Sequence, residues 1–274
     1  MLNLLKHELL SRRGSILGWG IGLALFGAMY IAIFPEMGDA MAALADLSIY
    51  QAMGIELGTF EGYIASSVVQ FIPIILGIYA IITSTQTLAG EEDSGTLELI
   101  LTMPLHRWQI VSVKAVAMAI ATFLMLFIAG LGNGATLNAI KATVEVDVTA
   151  TELFIATLSG WPITMAFIMM GLFWGAYLPN RKAAALTTSV IFMVSYFGET
   201  LAGFADSLDV IKPFSLFYYF DSSSAIFIEG IQASDIWFLL AVAAIFFALA
   251  LLAFQRRDVT VGVWPWQRAS GIEG

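Results

Sequence analysis

GEEDSGTLELILTMPLHRWQIVSVK, residues 90–114, places four acids (Glu91, Glu92, Asp93 and Glu98) within eight positions of a chain that is 59% hydrophobic and 12% charged. Apolar runs flank it, at 66–89 and 109–131. Each is long enough to cross a bilayer core, for which about 20 apolar residues suffice. The acidic stretch therefore reads as the break between two membrane helices. Further runs of the same kind lie at about 15–34, 153–178, 183–202 and 236–255. The fold class that follows is an all-α membrane protein with six transmembrane helices. The runs are continuous, whereas a membrane β-barrel would alternate over segments of about ten residues. A mean hydropathy of +0.86 and half the usual share of charge exclude a soluble domain.

Lysine and arginine set the orientation. With six spans both termini share one side. That side holds Lys6, Arg12, Arg13, Arg107, Lys114, Arg181, Lys182, Arg256, Arg257 and Arg268, ten of the twelve basic residues. The other side holds Lys141 and Lys212. Acids run the other way: segments 35–65, 132–152 and 203–235, with Glu199, carry fourteen of twenty-one. Cytoplasmic termini and a plasma-membrane location follow as expectations. Residues 15–258 form the six-helix domain and 259–274 a cytoplasmic tail.

The N-terminal segment, MLNLLKHELLSRRG, is followed by apolar sequence to Phe34, longer than a signal-peptide core, and reads as a retained first span. Within residues 1–14, Leu2, Leu5 and Leu9 share a helical face that Lys6, Arg12 and Arg13 can flank. An amphipathic helix on the inner surface, its basic groups reaching anionic headgroups, and a plain basic flank both fit. Segments 35–65 and 203–235 are too apolar for solvated loops and are placed at the outer interface. Pro73 and Pro162 lie within spans two and four and read as bends or hinges. GLGNG, Gly130 to Gly134, reads as the terminus of span three.

The acidic stretch runs against the charge bias of its own side. Local chemistry explains part of it. Asp93 or Ser94 can cap a helix, and acids suit the positive end of its dipole. Leu97, Ile100 and Leu101 share a face. Pro104 stops the helix. His106, Arg107 and Trp108 stand at the foot of span three, where Arg and Trp anchor. A short amphipathic helix within 90–106 must bury its apolar face in lipid, as a connector, or in a partner protein, as a docking element.

These residues carry a resemblance. Glu91, Gly95, Thr96, Leu97, Glu98, Leu99, Pro104, Arg107 and Lys114 resemble the signature of ABC-2 type transporter permeases, the six-span group with separate ATPase subunits. The basic N-terminal segment resembles that family's connecting helix. The ending FALALLAFQRRDV and the preceding KPFSLFYY are similar to its last span and the stretch before it. His106 stands where a Ser is common. The resemblance implies that 90–106 is a coupling helix fitting a groove on an ATPase subunit, with Glu91, Glu92, Asp93, Gly95, Thr96, Leu97, Glu98, Pro104 and Arg107 at that contact. It implies two ATPase subunits carrying ATP and Mg, and a second membrane subunit, identical or paralogous. PNRKAA, Pro179 to Ala184, reads as a smaller contact or a topological staple.

The chain has no G-x-x-x-x-G-K-[ST] loop, so it is not expected to be the ATPase, and no cofactor is expected in it. His7 and His106 form no metal-ligand spacing, and no Ser-Lys or Ser-His pair lies mid-span, against an intramembrane protease. Deep ionisable groups are scarce, against an ion path; Glu199 reads as an interfacial acid. Nothing points to nucleic acid. The function expected is the permease subunit of an ATP-powered exporter. The alternative is a non-transporting scaffold or sensor that docks a cytoplasmic partner through the same loop.

Overall fold

The computed structural model describes residues 1–45, 59–93, 105–142, 144, 146–202, 210, 212–220, 225–228 and 230–256. Six helices are long and apolar enough to cross a membrane: Arg13–Glu36, Phe60–Gly90, Arg107–Ile140, Ala150–Tyr177, Arg181–Ala202 and Ala233–Arg256. They are spans one to six. A shorter helix, α1 (Leu2–Ser11), precedes them, and no strand occurs among the described residues. The expected six-helix membrane architecture is the one observed.

Span four is the hub. It packs along spans six and two and, over a narrower seam, span five, while span one lies along span three. Lipid offers no hydrophobic drive between helices, so close packing must come from small residues. A Cβ on Gly171 of span four would collide with Ser84 Oγ of span two, and one on Gly132 of span three would sit 2.6 Å from the Ala24 side chain of span one. Phe167, Phe192 and Phe217 join spans four and five to the 3₁₀ turn Phe217–Tyr219, with ring centroids 4.8–5.9 Å apart.

The GLGNG stretch does not end span three. The helix runs to Ile140, and the single positive-φ glycine among the described residues is Gly230. Gly130, Gly132 and Gly134 are packing notches instead, facing Phe154, Ala24 and Ala150. The prolines act by the missing N–H and by the clash of the ring with the carbonyl four residues back. Before Pro73 the helix widens into a π-turn, Ala65–Val69, closed by Gln70 N–H donating to Ala65 O at 2.9 Å. Pro162 would clash with Leu158, and span four divides there into Ala150–Leu158 and Gly160–Tyr177.

At the start of span four Thr149 and Glu152 form a reciprocal cap, at 2.8 and 3.1 Å. The KPFSLFYY segment folds back onto span five. Ser215 Oγ donates to Ser195 O at 2.7 Å, and Ser195 Oγ accepts from Leu216 N–H at 2.8 Å.

Candidate functional site

Span two changes character at its C-terminal end. Three hydroxyls bond back to carbonyls four residues earlier: Ser84 to Ala80, Thr85 to Ile81 and Thr87 to Thr83, each at 2.6 Å. Such back-bonding loosens and bends a helix. The next turn, Gln86–Gly90, is a π-turn in which Glu91 N–H reaches the carbonyl of Gln86. A short helical turn, Glu91–Asp93, follows. Gly95, Thr96, Leu97, Glu98 and Pro104 lie outside the described residues, as do the expected amphipathic helix and a cap at Ser94.

The Glu91 side chain that follows the π-turn is mostly buried, at 22% exposure. Lys114 sits about 10 Å along span three from Arg107, at about 1.5 Å per residue, and its side chain is fully buried at 0% exposure. Its ammonium donates to Glu8 Oε1 at 2.8 Å and to Glu91 Oε1 at 2.5 Å. Arg12 then donates to the other Glu8 oxygen at 3.2 Å and to Thr87 Oγ1 at 3.3 Å. Thr87, Arg12, Glu8, Lys114 and Glu91 thus form one chain of contacts joining α1, span three and both sides of the π-turn. Two cations oppose two anions. A lone buried charge costs several kcal/mol, about as much as explains why this one is doubly paired.

The two carboxylates differ. Burial pushes the Glu8 carboxyl up, but the Lys114 ammonium and Arg12 guanidinium outweigh it, and it lies below the ordinary carboxylate value. For Glu91 burial wins over Lys114, helped by the nearby Glu8 charge, and it lies above that value. Glu8 is the firm anion of the cluster and Glu91 the one more easily neutralised.

Arg107 closes the same end of the bundle on the other flank. Its guanidinium donates to Phe254 O at 3.4 Å, near the C-terminus of span six, where the helix dipole favours a cation. His106 N–H donates to Gln109 Oε1 at 2.9 Å, starting span three, and Trp108 is exposed on the apolar face. Glu92 is buried. The segment 91–107 is therefore fixed at both ends: by Glu91 to span three and α1, and by Arg107 to span six.

Of the sequence-derived site residues, the structure places Glu91, Glu92 and Arg107 in the packed layer at this end of the bundle and the backbone of Asp93 beside them. It adds Glu8, Arg12 and Lys114. Arg12, expected to reach headgroups, turns inward to Glu8 and Thr87. A signal for this existed: Lys114 lies well inside an apolar run, where an ionisable group needs a partner. No group of three His, Cys, Asp or Glu residues able to hold a metal occurs among the described residues.

The profile of a family described as "ABC-2 family transporter protein" matches residues 2–259. A multidrug efflux system permease protein of Mycobacterium tuberculosis is 28% identical over 255 residues, covering 90% of this chain. The chain spans less than half of that relative's length, 43%.

Proposed function

Because the chain belongs to the ABC-2 family of transporter proteins, we propose that it is the permease subunit of an ATP-powered exporter, driven through segment 91–107 by separate ATPase subunits. Permeases of this family partner with ATPase subunits. In this reading two such subunits carry ATP and Mg, and a second membrane subunit, a copy or a paralogue, completes the path. The location is the plasma membrane with both termini cytoplasmic. Cargo moves outward, in line with the efflux named for the relative.

The observation that carries the reading is the Glu8–Lys114–Glu91 cluster. A push on 91–107 meets no slack at its start, since Glu91 is tied to a fully buried ammonium. It meets none at its end, since Arg107 holds the last turn of span six. Breaking a buried charge pair by removing one partner costs about 3–5 kcal/mol, so the joint withstands loads well above thermal energy. Movement of the segment is then shared by α1 and by spans two, three and six. A scaffold that only docks a partner has no need of such a joint.

The experiment is co-purification. The chain is tagged at its C-terminus and extracted gently, with and without residues 91–104. The reading expects a soluble ATPase that accompanies the intact chain and is lost with the deletion. A chain that purifies alone, or an ATPase that stays bound without 91–104, refutes it.

A further inference from the structure

We propose that the π-turn Gln86–Gly90 is the positioning element of the joint, a register switch that decides whether Glu91 or Gly90 faces Lys114. This rests on the exporter reading and deepens it. A π-turn holds one residue more than an α-turn, as the Glu91 N–H to Gln86 O bond shows here. Each residue of an α-helix adds about 100° and about 1.5 Å. If the turn tightens to α while span two stays fixed, every later residue advances by that step. Gly90 then takes the place that Glu91 holds now, and Glu91 moves to the place of Glu92. Glycine has no side chain, so the ammonium loses one of its two carboxylates.

Three features suit the turn to this exchange. The hydroxyls of Ser84, Thr85 and Thr87 bond to carbonyls of the preceding turn, so the helix ladder has alternatives at hand. Gly171 and Gly175 of span four lie against Ser84 and Thr85 and hold the helix just before the turn in place. Thr87 also accepts from Arg12, which links the turn to the opposite end of the cluster through Glu8. Lys114 keeps Glu8 in both registers, so the switch frees the Glu91 end of the segment from Lys114 while α1 stays attached.

Deleting one residue of the turn separates register from contact. Without Ala89 the turn closes as plain α, yet Glu91 still arrives opposite Lys114. The joint is then locked. The test uses the complex with its co-purified ATPase in lipid nanodiscs. The chain has no cysteine, so Val116→Cys and Ile245→Cys, both on exposed positions, are its only sites for spin labels. The proposal expects a change in label distance on vanadate trapping of the unaltered turn, and its loss in the Ala89 deletion. ATP turnover falls together with the lost distance change. A double-mutant cycle of Lys114→Ala with Glu91→Gln must still show coupling in the deletion, which shows that the Glu91 contact persists. A deletion that keeps the full distance change overturns the switch.

If the deletion does not assemble, amide exchange of the unaltered complex decides. Exchange across Gln86–Glu91 should differ between nucleotide-free and trapped states, and equal exchange overturns the proposal. An unaltered chain that holds no ATPase removes the exporter reading itself, a different failure from a coupled complex indifferent to the turn.

Discussion

Replacing Lys114 with Ala should be the most damaging single truncation in the Glu8–Lys114–Glu91 cluster. The side chain is fully buried and bridges two carboxylates whose side chains are only 10% and 22% exposed. Its removal leaves Glu8 held on one side by Arg12 and deprives Glu91 of the ammonium. Uncompensated buried charge of this kind costs about 3–5 kcal/mol. At about 2–4 °C per kcal/mol for a chain near this size, the melting temperature should fall by about 6–20 °C. Cysteine-reactive dyes cannot report on a chain without cysteine, but seven tryptophans make intrinsic fluorescence suitable. A double-mutant cycle with Glu8→Gln should show coupling, since the second change removes the acid that the first strands. The triple variant Glu8→Gln, Lys114→Met, Glu91→Gln should recover most of the loss, because a buried ion set replaced by neutral groups is often neutral or stabilising. Lys114→Ala melting with the parent protein, or a triple variant as damaged as the single, would refute the cluster as a paired unit.

Acidification should act on the two acids with opposite sign. Glu91 lies above its ordinary value, so the folded state binds its proton first, and stability rises as pH falls through that raised value. Glu8 lies below its ordinary value, and its contribution is lost at lower pH, as pH falls through the folded value. Melting curves should therefore peak on the mildly acidic side, and Glu91→Gln should abolish the rise but keep the fall. Gly171→Leu should force spans two and four apart at Ser84 and cost about 1–3 kcal/mol or more by overpacking, read as a lower melting temperature. Ser195→Ala strands the Leu216 N–H and should cost about 1–3 kcal/mol, read as faster amide exchange confined to 212–220.

The fold was legible because each span is a long apolar run and the acidic break between the second and third is so unlike its flanks. GLGNG misled because glycine serves two purposes in membrane helices, ending them or thinning them, and local sequence does not say which. Only the Ala24 and Phe154 side chains opposite decide that here. The site was half legible. Glu91 and Arg107 were found through the motif, but the reason for Glu91 was not. Lys114 was counted toward topology, when its depth in an apolar run already required an anion. Glu8 stayed hidden because α1 was read through its leucines, and the pairing spans 106 residues of sequence. Long-range ion pairing leaves no periodic trace. The π-turn is equally invisible, since TSTQTLAG is compatible with ordinary helix.

The central claim is that the cluster transmits motion and does not merely hold the fold together. The triple variant Glu8→Gln, Lys114→Met, Glu91→Gln separates the two, being expected to fold and to keep its ATPase. Spin labels at Val116→Cys and Ile245→Cys would be compared in nucleotide-free and vanadate-trapped complexes. The account predicts a distance change with the native cluster and none in the triple variant with ATPase still bound. The same change in both would contradict it.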